Sequence, residues 1–280
     1  MQPELFRFGP FAFQGYGTMV AFGLVVSWFV LDYEARRKGL TALADGLVGL
    51  YAWMLVAGFL GGKLYYIASS FDEFRTIASA GRPGEILGRG FVFYGSLLTC
   101  IPVFRWWMKR RGVPFLPALD VAILAAPIML GLGRVGCFLA GCCFGHAADV
   151  PWAVAYPPGH AVAGRTVHPA PLYETLGCAA VLALLWFVVR PRARFPGQVV
   201  ASYFVLYGIE RFLVELFRGD VGRGFVVGGE GLKAGDPPVG LAFSQMLSIP
   251  LVILGSLWLA IGLRRAGRPP PSRAERRRAS

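Results

Sequence analysis

Seven apolar runs, at Phe11–Leu31, Leu47–Ala68, Gly88–Trp107, Leu116–Leu132, Leu172–Val189, Val199–Phe217 and Leu241–Leu263, dominate this 280-residue chain. Each approaches or exceeds the roughly 20 residues that a helix needs to cross a ~30 Å hydrocarbon layer. Inside that layer every backbone polar group must be satisfied within the chain, so only helices and closed barrels can span it. A membrane barrel would show short segments alternating between lipid-facing and lumen-facing residues, whereas these runs are apolar almost throughout. Charged residues make up 16% of the chain, against about 25% in a soluble domain. The expected fold is therefore all-α: an integral membrane bundle of seven transmembrane helices with a small extracytoplasmic segment.

The net charge of +12 raises the question of nucleic acid, because basic excess is also the footprint of phosphate-backbone binding. The placement of the charges excludes it. Of 28 Lys and Arg, 17 fall in four clusters, Arg36–Lys38, Arg105–Arg111, Arg190–Arg194 and the tail from Arg264 onward. These follow the first, third, fifth and seventh runs, so one side of a bilayer receives all four, and that side is cytoplasmic by the positive-inside rule. The N-terminus is then expected outside and the C-terminus inside, with residues 1–263 forming the membrane domain. Residues 264–280 form a basic, disordered cytoplasmic tail against anionic head groups. The start MQPELFRFGP lacks a basic leader and a small-residue cleavage site, so the first helix is expected to be retained. The longest polar-leaning stretch, 134–171, holds all three histidines and is expected on the outer face.

Ionisable groups inside a span cost about 2.5–3.5 kcal/mol each on insertion scales and usually face a partner or a cavity. Here Lys63, Arg134, Glu174, Glu210, Arg211, Glu215 and Arg218 all fall near the outer ends of their runs. Tyr207, Arg211, Glu215 and Arg218 recur at helical spacing along one stripe. Structural ion pairs would account for any one of them; the whole set reads as a polar cavity. Guanidinium forks suit phosphate oxygens, so an anionic lipid head group is the natural ligand.

The chain resembles the prolipoprotein diacylglyceryl transferase family over nearly its whole length. The resemblance is carried by GYG at Gly15–Gly17, GGKLYY at Gly61–Tyr66, FYGSLL at Phe93–Leu98, GRVGCFLAGCCFG at Gly133–Gly145, HPAPLYE at His168–Glu174, YGIERFLVELFR at Tyr207–Arg218, and SQMLSIP at Ser244–Pro250. It implies a bacterial inner-membrane enzyme that moves a diacylglyceryl group from phosphatidylglycerol to the lipobox cysteine thiol of a prolipoprotein signal peptide, with no metal or cofactor. It also implies seven spans, N-terminus outside, and an active site toward the extracytoplasmic face. The chain departs from the family at Lys63, where the family commonly has arginine, and at Tyr94, Cys137 and Cys142, where it usually has histidine, asparagine and glutamate. These departures leave two other readings open: a related transferase with a different acceptor, and a non-catalytic phospholipid-binding relative.

In the implied mechanism a thiolate attacks the glycerol carbon bonded to phosphate. A free thiol has a pKa near 8.5, so the site must supply a base or a positive field, and fixed cations stabilise the charge that builds on the leaving phosphate. Arg134 and Arg211 are assigned to the phosphate, with Lys63 and Arg218 in support. Gly133 and Gly136 leave backbone bare beside Arg134, and Gly95 belongs to the FYGSLL block. Tyr16 and Tyr207 are candidate donors to lipid oxygens, Tyr94 a donor or base, and His168 or His146 a substitute base or a turn residue. Glu215 orients Arg211, and Glu174 anchors the HPAPLYE turn. Four roles are open for Cys137, Cys142 and Cys143: tight packing, a disulfide, metal ligation, for which C-x4-C-C is a poor spacing, or, for Cys142 or Cys143, nucleophilic attack.

Overall fold

The computed structural model describes residues 4–8, 11–79, 90, 92–220, 224–229 and 231–267, which are mostly helical. The long helices are α1 (Gly15–Arg37), α2 (Leu47–Ser69), α3 (Phe93–Arg110), α4 (Phe115–Ala122) running into α5 (Ala125–Ala140), α6 (Ala170–Ala183), α7 (Gln198–Glu215) and α8 (Phe243–Ala266). Among the described residues five stretches are long and apolar enough to cross a membrane: Gly15–Arg37, Leu47–Ser69, Phe115–Ala140, Ala170–Arg192 and Phe243–Ala266. The other two expected spans are helices as well. Each has 18 residues and carries three charged side chains, Arg105, Lys109 and Arg110 in α3 and Glu210, Arg211 and Glu215 in α7.

Three expectations need correction. The fold is not purely helical, because short antiparallel pairs join β1 (Glu4–Phe8) to β2 (Phe11–Gln14), β3 (Val154–Ala155) to β4 (Thr166–Val167), and β5 (Phe225–Gly228) to β6 (Gly240–Ala242). The first helix begins at Gly15 rather than Phe11, since the aromatic stretch FAFQ pairs as a strand. The fourth helix does not end with its apolar run at Leu132: α5 continues to Ala140, leaving Arg134 inside the helix. Residues 268–280 of the expected tail lie outside the described residues.

The chain divides into two compact units, residues 31–118 and residues 1–30 with 119–280. In the first, α2 and α3 cross on small residues. A methyl group at Gly61 would run into Gly95 O and Thr99, and one at Gly95 into Gly61 O and Tyr65. Ser96 Oγ donates to Gly58 O at 2.7 Å and Thr99 Oγ1 to Ala57 O at 2.7 Å. Lipid gives helices no hydrophobic reason to associate, so close backbone approach and interhelical hydrogen bonds hold such pairs.

In the second unit, α7 packs on α8 through Gly208 and Gly255, whose added methyls would meet Val252 and Ala201 O. The start of α7 is held by the buried Asp120, whose carboxylate accepts from Gly197 N at 2.7 Å and Val200 N at 3.1 Å. Those are orphan donors of a helix N-terminus. Beyond α5, the segment Phe144–His146 is stitched between two others. Gly145 N donates to His168 O, His146 N to Phe217 O, His168 N to His146 O, and Gly219 N to Phe144 O, all at 3.0 Å. This stitching brings the ends of α5 and α7 and the start of α6 together.

Candidate active site

Three helices of the second unit converge on one buried carboxylate. Glu174 lies in the second turn of α6 and is 1% exposed. Its Oε1 is 2.9 Å from Arg134 Nε on α5, and its Oε2 is 3.9 Å from Arg211 Nη1 on α7. Arg211 also reaches along its own helix, placing Nη2 2.7 Å from Glu215 Oε2, four residues and about one turn on. Ser244 Oγ, from the first turn of α8, donates to the same Glu215 oxygen at 2.8 Å. Arg134, Glu174, Arg211 and Glu215 thus form a continuous alternation of charge that is nearly dry, with Glu215 0% exposed. Charges withdrawn from water this far persist only when paired.

Glu174 therefore does not anchor the HPAPLYE turn; Pro171 in the first helical turn serves that start. Glu174 is one turn farther in, where its length carries it to both arginines. Glu215 stands against Arg211, as the spacing led us to expect. Arg218 sits beyond the end of α7 with a partner of its own, Asp220, engaged bidentately at 2.8 and 2.7 Å. Tyr207 stacks on Tyr203 one turn before Arg211, with centroids 5.3 Å apart and planes 5° apart.

The glycines divide by surroundings. Nothing lies within 4 Å of an added methyl at Gly133. Gly136 is not bare backbone: a methyl there would lie 2.9 Å from Tyr16 Cα and 3.1 Å from its ring. Its missing side chain admits α1, whose Tyr16 is 50% exposed. In the other unit Gly95 is likewise spent on the α2–α3 crossing, and Lys63, 8% exposed, donates from Nζ to Gly90 O at 2.9 Å. The side chain of Tyr94 lies outside the described residues.

His168 precedes α6 and takes part in an aromatic relay that sequence reading missed. Trp152 Nε1 donates to the Tyr173 hydroxyl at 2.7 Å, and that hydroxyl lies 2.8 Å from His168 Nδ1. The His146 ring stands edge-on to His168, with centroids 4.8 Å apart. Burial, and then the neighbouring His146, hold His168 below the usual histidine range, which favours the neutral ring. Trp152, His168, Tyr173, Leu176 and Phe217 line an open aromatic groove. Two further contacts were also missed. Glu210, 9% exposed, packs over Gly177 of α6, where a methyl would lie 2.5 Å from Oε1. Ser244 was visible only as part of SQMLSIP.

Cys142 is exposed just past the end of α5, and its Sγ lies 3.5 Å from Cys137 O.

The sequence profile of the family described as prolipoprotein diacylglyceryl transferase matches residues 3–261. Among similar proteins is one from Geobacter sulfurreducens, 32% identical over 91% of this chain and 93% of its own. Its name is phosphatidylglycerol–prolipoprotein diacylglyceryl transferase. Proteins of the same name from Pseudomonas aeruginosa and Clostridium tetani are 31% and 30% identical. They cover 96% and 79% of this chain, and 97% and 86% of their own.

Proposed function

We propose the following function for this chain, which belongs to the prolipoprotein diacylglyceryl transferase family. It is a multi-pass membrane transferase that moves a diacylglyceryl group from phosphatidylglycerol to a prolipoprotein. The acceptor is the thiol of a lipobox cysteine in the signal peptide. Its thiolate attacks the glycerol carbon bonded to phosphate. A C–S bond forms, the C–O bond breaks, and glycerol phosphate departs with the electron pair, while the thiol proton passes to a base in the site.

The observation that carries this reading is the single carboxylate shared by Arg134 and Arg211. Two guanidiniums fixed on different helices, with one counter-ion between them, offer a phosphodiester two forks in a dry setting. There donors need not reorganise as charge develops on the leaving oxygen. Glu174 and Glu215 set the orientation of the arginines. Gly133 leaves room for the head group beside Arg134, and Tyr16 and Tyr207 supply hydroxyl donors near it.

The topology that goes with this chemistry has seven spans, the five apolar stretches together with α3 and α7. The N-terminus is outside, the C-terminus is in the cytoplasm of a bacterial inner membrane, and the site opens to the extracytoplasmic face. The four basic clusters support that orientation.

The test is transfer from phosphatidylglycerol to a synthetic lipobox peptide by the purified full-length protein, read as thioether product. Arg134→Ala and Arg211→Ala should each lower kcat/KM by about 10²–10³-fold, the usual effect of losing one preorganised charge-stabilising donor. Either variant turning over at more than about a third of the parent rate would reject the phosphate assignment.

A further inference from the structure

We propose that Cys137, Cys142 and Cys143 form a three-thiolate site for a soft, thiophilic metal ion, with three-coordinate Cu(I) the best fit. The inference is independent of the transferase reading. The three sulfurs lie within 4.8 Å of one another. Three sulfurs bound to one ion at about 2.3 Å are about 4 Å apart, so closing on an ion needs only sub-ångström movements.

The spacing C-x4-C-C is a poor match to structural zinc sites, because the third cysteine directly follows the second and a second ligand pair is wanting. Helix termination supplies the geometry instead. Gly141, at φ 78°, ends α5 in the left-handed region, Cys142 N donates to Cys137 O at 3.0 Å, and Gly141 N donates to Phe138 O at 3.2 Å. These two bonds make a Schellman turn, which folds the second residue past the cap back over the third from the helix end. An apolar contact usually occupies that place, and here it is thiol upon thiol.

Cys143 completes the set in a conformation that side chains rarely adopt. Its φ is 59°, and it is the one non-glycine residue with positive φ among the described residues. For such a residue the cost is of order 1–3 kcal/mol, and it persists where the surroundings over-determine it. The bonds flanking Cys143, Gly145 N to His168 O and Gly219 N to Phe144 O, do so. His160 is not a fourth ligand: Nε2 donates to Gly141 O at 2.7 Å, and Nδ1 accepts from Val162 N at 3.4 Å. It pins the turn instead.

Binding Cu(I) to three thiols releases three protons to solvent and leaves a complex of charge −2. Soft thiolates without nitrogen or oxygen partners select Cu(I) over harder ions. Cys142, being exposed, gives the ion a path in.

The experiment is titration of purified, reduced, full-length protein with Cu(I) under anaerobic conditions, in competition with a chromophoric Cu(I) chelator. One equivalent per chain should leave the chelator, and X-ray absorption of the loaded protein should return three sulfur neighbours at about 2.3 Å. Cys143→Gly accepts the positive φ, so it should fold with unchanged or raised melting temperature while affinity falls by about 100-fold or more. Cys100→Ala should bind as the parent does. The proposal is overturned if reduced protein takes no Cu(I) from the chelator, if Cys143→Gly binds with parental affinity, or if protein isolated from its membrane carries a disulfide within the trio.

Discussion

Replacing Glu174 with glutamine keeps the side chain's shape and removes one charge, which makes it the cleanest probe of the arginine pair. The carboxylate lies 2.9 Å from Arg134 and 3.9 Å from Arg211. At an effective dielectric constant of about 20, each contact has a Coulomb energy of roughly 4–6 kcal/mol. Most of that is offset by desolvation, and removing one partner of a buried ionic set typically costs about 3–5 kcal/mol. If only the lower figure is felt at the transition state, turnover falls by roughly 10²-fold. Glutamine also removes an anion that competes with phosphate for the same guanidiniums, so affinity for the lipid should suffer less than turnover. We therefore expect Glu174→Gln to lower kcat by about 10²-fold or more at saturating phosphatidylglycerol, with KM shifted by less than about tenfold. The assay is peptide lipidation in detergent micelles across a lipid titration, with melting temperature as the check on folding. A kcat within about threefold of the parent, or a loss recovered simply by adding lipid, would refute the idea that Glu174 holds the two arginines in a working geometry.

Gly95→Ala drives a methyl into Gly61 O and Tyr65 at the α2–α3 crossing. It should destabilise the protein by about 1–3 kcal/mol, the usual cost of overpacking, seen as a lower melting temperature in detergent; an unchanged one contradicts the crossing. Asp120→Ala strips two buried acceptor bonds from the start of α7 and should cost about 0.5–2 kcal/mol, as lost N-caps do, while leaving KM for lipid unaltered. His168 sits below the usual histidine range, so the unfolded chain takes up its proton first. Stability present above the ordinary value of about 6.5 should then be lost as pH falls through that value and on through the folded one. His168→Gln should flatten the melting-temperature profile below pH 6.5; an identical slope in both proteins refutes the assignment.

The sequence alone was enough to identify a membrane helical protein, because the constraint is additive along the chain: apolar length and basic punctuation need no knowledge of what touches what. It was also enough to pick out Arg134, Arg211 and Glu215, since a charge inside an apolar run is conspicuous and an i, i+4 pair is a local relation. What depended on distant segments was not legible. Glu174 read as a turn anchor because its partners are 40 residues before and 37 after it on other helices. Gly136 read as open backbone because sequence says that a side chain is missing, not which helix fills the space. The strand at Phe11–Gln14 was absorbed into an apolar run whose hydropathy is the same in either conformation.

The cysteine trio is the sharpest division. C-x4-C-C is a poor metal-site spacing, yet one left-handed glycine reverses the chain at the end of α5, and a second left-handed residue, Cys143, turns its thiol onto the other two. Spacing along a chain measures distance only while the backbone stays regular. Where a helix ends and the chain doubles back, the fold alone decides which side chains meet.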